Sequence, residues 1–197
     1  MADPRVGAVS ADAAFYFDLR SPQAYLAAER ALRVLPAPCE WQPILSPEPA
    51  FRCEAEVDAM RESVQVRARA LQLQPLRWPA SYPYDSRQAM LAATYAKRIG
   101  KTVAFALAAF RQAFAGGRAL DIEDNVLIAA AACEIHPAAL RRAMATRSIA
   151  AELDRASEEA VSIGIHDVPA VRVGERVLVG ELSLEAAGEL LAKARSL

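Results

Sequence analysis

Strand-like sequence occurs only near the two ends of this chain, and the long stretch between them carries a helical pattern instead. Such an order asks for an α/β fold in which a small sheet is interrupted by a block of helices. Residues 13–19 (AAFYFDL) form a short aromatic run closed by Arg20, Ser21 and Pro22, which reads as a buried strand. Tyr25, Ala28, Leu32 and Leu35 then recur at helical spacing, with Ser21 placed to cap and Pro22 in the first turn. Pro36 and Pro38 end that helix, and residues 39–45 (CEWQPIL) supply a second strand before the proline-rich stretch 43–49.

From residue 51 to about 147 the sequence is rich in Ala, Leu, Arg and Glu without strand-like alternation. Turn signals at 75–83, Gly116-Gly117 and His136-Pro137 divide it into four or so helices, among them 87–99, 101–115 and 124–134. A last long helix runs to Ile163. After Gly164, residues 170–173 and 176–179 flank the turn Gly174-Glu175 as a hairpin, which Gly180 ends. Residues 183–197 form a terminal helix, with Ser183 as its cap and Leu184, Ala187, Leu191 and Ala194 on one face.

The balance of 54% hydrophobic and 24% charged residues is that of a globular chain. Twenty-three basic residues against twenty-four acidic ones leave a net charge of −1, which offers no footprint for nucleic acid or an anionic membrane. A small-molecule ligand is expected. The longest apolar runs, 103–110 and 126–133, fall well short of the roughly 20 residues a bilayer requires. Residues 1–12 hold one Arg, two Asp and no apolar core, so they do not read as a secretory leader, and a cytoplasmic protein is expected. Cys39, Cys53 and Cys133 are odd in number and scattered, with no Cys-x-x-Cys and no spacing to His136 or His166 that suits a metal. They read as small apolar residues, not a disulfide framework or a zinc site.

Three stretches carry a family resemblance. Residues 17–27 (FDLRSPQAYLA) are similar to the strand-to-helix junction Asp-Phe-x-Ser-Pro-x-x-Tyr-Leu of 2-hydroxychromene-2-carboxylate isomerases and kappa-class glutathione transferases. Residues 105–124 resemble the insertion helix and following turn of the DsbA-like thioredoxin superfamily. Residues 164–171 (GIHDVPAV) look like its Gly-x-x-Gly-Val-Pro-Thr-Phe segment, in which the Val-Pro bond is cis. The resemblance implies a thioredoxin-like fold, β-α-β … β-β-α, with a large all-helical insertion. Residues 13–50 and 148–197 would form the thioredoxin-like domain and 51–147 the inserted helical domain.

In redox relatives the helix N-terminus carries Cys-x-x-Cys, because the helix dipole stabilises a thiolate there. Here the four residues are Ser21-Pro22-Gln23-Ala24, so dithiol exchange has neither an attacking nor a resolving sulfur. The resemblance gives Ser21 the role of donating a hydrogen bond to the thiol of glutathione, the implied cofactor, while the same residue also suits a plain cap. It gives the backbone of Val168, ahead of Pro169, the pairing with the ligand's cysteinyl unit. Glutathione-binding relatives place an acid after their last strand, where this chain has Leu182; Glu181 could replace it through a shifted backbone. His166 is a candidate general acid/base and Arg20 a candidate partner for a substrate carboxylate, although a solvated histidine and a surface arginine are the plainer readings. Trp41, with Trp78, Tyr82 and Tyr84, is a candidate wall for an aromatic substrate. The implied activity is a glutathione-dependent isomerase, with a homodimer as its assembly. A kappa-type glutathione transferase and a DsbA-like protein without dithiol chemistry stay open beside it.

Overall fold

The computed structural model describes residues 12–47 and 51–194. The leader reading of residues 1–11, the domain boundary at residue 50 and the last three residues of the terminal helix lie outside the described residues. Within them the order is β1 (Ala13–Phe17), α1 (Pro22–Val34), β2 (Glu40–Pro43), α2 (Glu54–Ala70), α3 (Arg87–Arg98), α4 (Thr102–Phe114), α5 (Glu123–Ala131), α6 (Pro137–Met144), α7 (Arg147–Ser162), β3 (Ala170–Val173), β4 (Arg176–Val179) and α8 (Ser183–Ala194). The helical stretch holds five helices where the pattern predicts four or so. His136-Pro137, read as a turn, starts the short α6: the His136 ring accepts from the Ala138 N–H and Pro137 takes the first turn.

The sheet runs β2-β1-β3-β4. β1 pairs parallel with β2, and antiparallel with β3, which forms the hairpin with β4. All five residues of β1 are buried, as an apolar run covered on both faces must be. Phe15 and Phe17 pack edge-on against Trp41 of β2, and Phe17 continues onto Phe110 of α4. Tyr25 of α1 meets Phe110 and Phe114, which ties the sheet to the inserted helices through one shared core.

Three local expectations shift. The first strand stops at Phe17 rather than Leu19, because the buried Asp18 carboxylate draws in the Arg20 and Ser46 N–H groups and Ser21 N–H bonds Asp18 O. Leu32 is 71% exposed: it lies in the last turn of α1 and borders an open recess. Ser183 is the first residue of α8 rather than its cap, and its hydroxyl is buried without a hydrogen-bond partner.

Candidate functional site

The turn at residues 18–21 decides where the site lies. Since the strand has ended, Arg20 and Ser21 no longer alternate across the sheet, and both border one cavity of about 520 Å³ at the N-terminus of α1. Ser21 has extended backbone and caps α1: its Oγ accepts from the Ala24 N–H at 3.1 Å. The same hydroxyl reaches Val168 O at 3.2 Å and Gln23 Oε1 at 3.4 Å, the two acceptors open to its proton. Val168 and Pro169 therefore sit opposite the helix start, 147 residues along the chain, and the peptide between them is cis. The Val168 N–H donates to Asp167 Oδ1 at 2.7 Å.

Arg20 is buried, 6% exposed, rather than a surface arginine. Its Nη2 donates to Ser46 O at 2.9 Å and Pro47 O at 3.3 Å and lies 3.7 Å from Asp18 Oδ2, so it braces the opposite wall. Asp18, fully buried, also accepts from Ser46 N and Oγ at 3.0 Å each. The carboxylate thus holds both the turn bearing Ser21 and the loop facing it. Asp18 is the acid of the strand-to-helix junction, and a lone acid at the end of an apolar run is the sequence signal for its bracing role.

Tyr82 closes the cavity on the helical side, its ring packed between Trp78, Tyr84 and Phe114. Burial pushes its phenol up to about 12, against the lowering effect of the Arg20 and Arg61 charges, so it stays protonated at neutral pH. Tyr84, also raised by burial, donates to Leu19 O at 3.0 Å and supports the turn from behind. His166 is exposed at the rim. Glu181 lines the cavity and lies 3.7 Å from Arg67 Nε of α2, whereas Leu182 is 66% exposed and does not line it.

Of the four expected wall residues, Trp41, Trp78 and Tyr84 do not border the cavity. Trp41 does not border this cavity; it is 3% exposed beneath Phe15 and Phe17, because its register opposite Phe15 puts it on their face of the sheet. Of the aromatic residues expected there, Tyr82 borders the cavity, and Phe51 and Met60 join it. None of the three cysteines does so. Cys53, expected to be buried, is exposed at the start of α2, and burial pushes the Cys39 thiol up to about 12.

The fold has known counterparts. A solved 2-hydroxychromene-2-carboxylate isomerase superposes with a TM-score of 0.80 at 20% identity, over 93% of this chain and 97% of that one. A probable DsbA oxidoreductase from Streptomyces coelicolor gives 0.74 at 17% identity, over 94% and 90%. The cytosolic disulfide reductase DsbM from Pseudomonas aeruginosa, solved with GSH, gives 0.67 at 14%, over 94% and 98%. At these identities the likeness is one of fold. No curated protein matches the sequence. No helix among the described residues is long and apolar enough to cross a membrane. The family model of the DSBA-like thioredoxin domain matches residues 14–192, so this chain belongs to the DSBA-like thioredoxin domain family.

Proposed function

We propose that this chain is a glutathione-dependent enzyme of the 2-hydroxychromene-2-carboxylate isomerase type, working in the glutathione-rich cytosol on an aromatic substrate. The observation that carries the reading is Ser21: a hydroxyl at the N-terminus of a 13-residue helix, beside the Val168 backbone and open to a cavity large enough for a tripeptide thiol and a small ring. A helix N-terminus favours an anion, and a hydroxyl in the place of a cysteine donates to a sulfur instead of bonding to it.

The residues present fit glutathione at three points. Ser21 Oγ and the first turn of α1 would hold the thiol, and the Val168 backbone the cysteinyl unit. Glu181 borders the cavity where Leu182 does not, so it would offer the carboxylate for the ammonium end, in exchange for its contact with Arg67. Bound there, glutathione would supply a nucleophilic sulfur that adds reversibly to an unsaturated substrate and frees a double bond to rotate. Tyr82, kept protonated, would donate to a substrate oxygen, and Phe51 and Met60 give the ring an apolar wall. Arg20, committed to Ser46 O and Pro47 O, shapes that wall and is not placed as a substrate clamp.

The test is a thermal-shift titration with reduced glutathione, followed by the absorbance change of 2-hydroxychromene-2-carboxylate isomerisation. A ligand of the folded state raises stability by RT ln(1 + [L]/Kd), with Kd expected on the order of millimolar. Ser21→Ala removes a hydrogen bond to a charged sulfur, and affinity should fall by about tenfold or more. Each variant is compared with its own unliganded midpoint, since losing the cap alone costs about 1 kcal/mol. The reading fails if tens of millimolar glutathione leave the midpoint unmoved, or if Ser21→Ala binds as well as the parent. Neither sulfur of a dithiol is present at residues 21–24, so insulin disulfides should not be reduced above the no-protein rate.

A further inference from the structure

The Val168 backbone, which the glutathione reading assigns to the ligand's cysteinyl unit, is already engaged within the chain. Its carbonyl takes the Ser21 hydroxyl at 3.2 Å, and its N–H is taken by the carboxylate of the preceding residue at 2.7 Å. The second contact is the stronger competitor. It is charge-assisted, and it closes a ring within two adjacent residues, so little chain freedom is lost in forming it. Asp167 itself is exposed and lines the cavity, so its carboxylate stays hydrated on the far side while it holds the N–H. Val168 and Pro169 are buried and lead straight into β3, where Gly180 N–H bonds Pro169 O, so the N–H cannot turn to another acceptor.

Building on the glutathione reading above, we infer that Asp167 is a specificity-determining residue of the cavity, occupying the Val168 N–H that the cysteinyl carbonyl of glutathione must take and admitting that tripeptide only by displacement. The exchange is unequal. A neutral peptide carbonyl replaces an ionised acceptor, and charge-assisted bonds are roughly twice as strong as neutral ones. Thiols held by Ser21 and the helix start alone do not meet this barrier. The site therefore penalises extended peptides relative to ligands that leave the Val168 N–H to Asp167.

Calorimetric titration of reduced glutathione into the parent and Asp167→Ala, at about 0.05 M and about 1 M salt, tests the inference; at the higher salt the screening length falls to about 3 Å. Freeing the N–H should tighten binding by roughly tenfold at both salt concentrations. A gain seen only at low salt would assign the effect to repulsion between the carboxylate and an anionic ligand, and would overturn the inference. Equal, measurable affinities of parent and variant would overturn it while leaving the glutathione reading in place. No binding by either protein would overturn both.

Discussion

Replacing Asp18 with asparagine should weaken the fold and the site together, because one buried carboxylate holds both walls. Asp18 accepts from Arg20 N at 2.9 Å through Oδ1, and from Ser46 N and Ser46 Oγ at 3.0 Å each through Oδ2. An amide has one acceptor oxygen. The less costly orientation keeps the oxygen toward Ser46 and turns NH2 against the Arg20 N–H, leaving a buried donor without a partner at about 1–3 kcal/mol. The Arg20 guanidinium, 3.7 Å away and 7% exposed, also loses the Asp18 charge. Breaking a buried pair costs about 3–5 kcal/mol, but Arg20 keeps the Ser46 and Pro47 carbonyls, so the lower end applies. These costs overlap, and a net loss of about 3 kcal/mol is expected. At 2–4 °C per kcal/mol for a chain of this size, the midpoint should drop by about 6–12 °C. Urea unfolding should show the same loss with an unchanged slope. Ser46→Ala, which removes one of the three donors, should lose only about 1 kcal/mol. A loss below about 1 kcal/mol for Asp18→Asn, or undiminished glutathione affinity in that variant, would refute the account of Asp18 as the brace of both walls.

Other substitutions probe separate parts of the molecule. Gly188→Ala in α8 would place a Cβ 2.9 Å from Val34 O; overpacking of about 1–3 kcal/mol should outweigh the helix-propensity gain of about 1 kcal/mol, and a variant more stable to urea than the parent would contradict the close approach of α1 and α8. Burial pushes the Tyr25 and Tyr82 phenols up to about 12, above the unfolded value of about 10. The folded state holds both protons more tightly, so this stability is complete below about pH 10 and is lost as pH climbs through about 12; phenolate absorbance near pH 10 that disappears in Tyr25→Phe or Tyr82→Phe, with the fold intact, would count against it. Ser21→Cys should yield a thiol whose pKa lies below the free value of about 8.5, read from the pH dependence of iodoacetamide alkylation in the variant minus that of the parent, and an ordinary pKa would show that the α1 dipole does not act on residue 21.

The parts of the site that the sequence makes legible are those with a local signal. Ser21-Pro22 announces a capped helix, Val168-Pro169 a rigid entry to β3, and the runs at 13–19 and 170–179 the strands between. What stays hidden depends on partners far along the chain. Arg20 reads as a surface charge because nothing nearby in sequence predicts two carbonyls at Ser46 and Pro47. Trp41 reads as a pocket wall because aromatic content is visible while strand register is not; only its pairing with Phe15 puts it in the core. Leu182 reads as the loss of an acid, yet the turn after Gly180 brings Glu181 to the cavity. Composition reports that a residue is apolar or charged, and tertiary contact decides which face it serves.

On the glutathione reading, Ser21 offers a sulfur ligand a hydrogen-bond donor where redox relatives supply a sulfur of their own. Its oxygen accepts from Ala24 N–H, a bond that belongs to the helix and persists whether or not the cavity is filled. Its single proton is the mobile element, directed at Val168 O or Gln23 Oε1 in the free protein. On that reading a thiolate at the helix start accepts the hydroxyl's hydrogen bond in place of Val168 O, and that carbonyl is then open to a cysteinyl N–H. The exchange conserves hydrogen bonds on this side of the cavity, so it opposes binding little. On the other side Asp167 must yield a charge-assisted bond to a neutral one. On the glutathione reading the larger cost of exchange falls on residue 167, and both residues act through the backbone of one residue, Val168. Combining Asp167→Ala with Ser21→Ala should therefore depart from the sum of the two single effects by about 0.5–3 kcal/mol, as expected for residues in one hydrogen-bond network; a sum kept to within about 0.5 kcal/mol would show that the carbonyl and the N–H of Val168 are released separately.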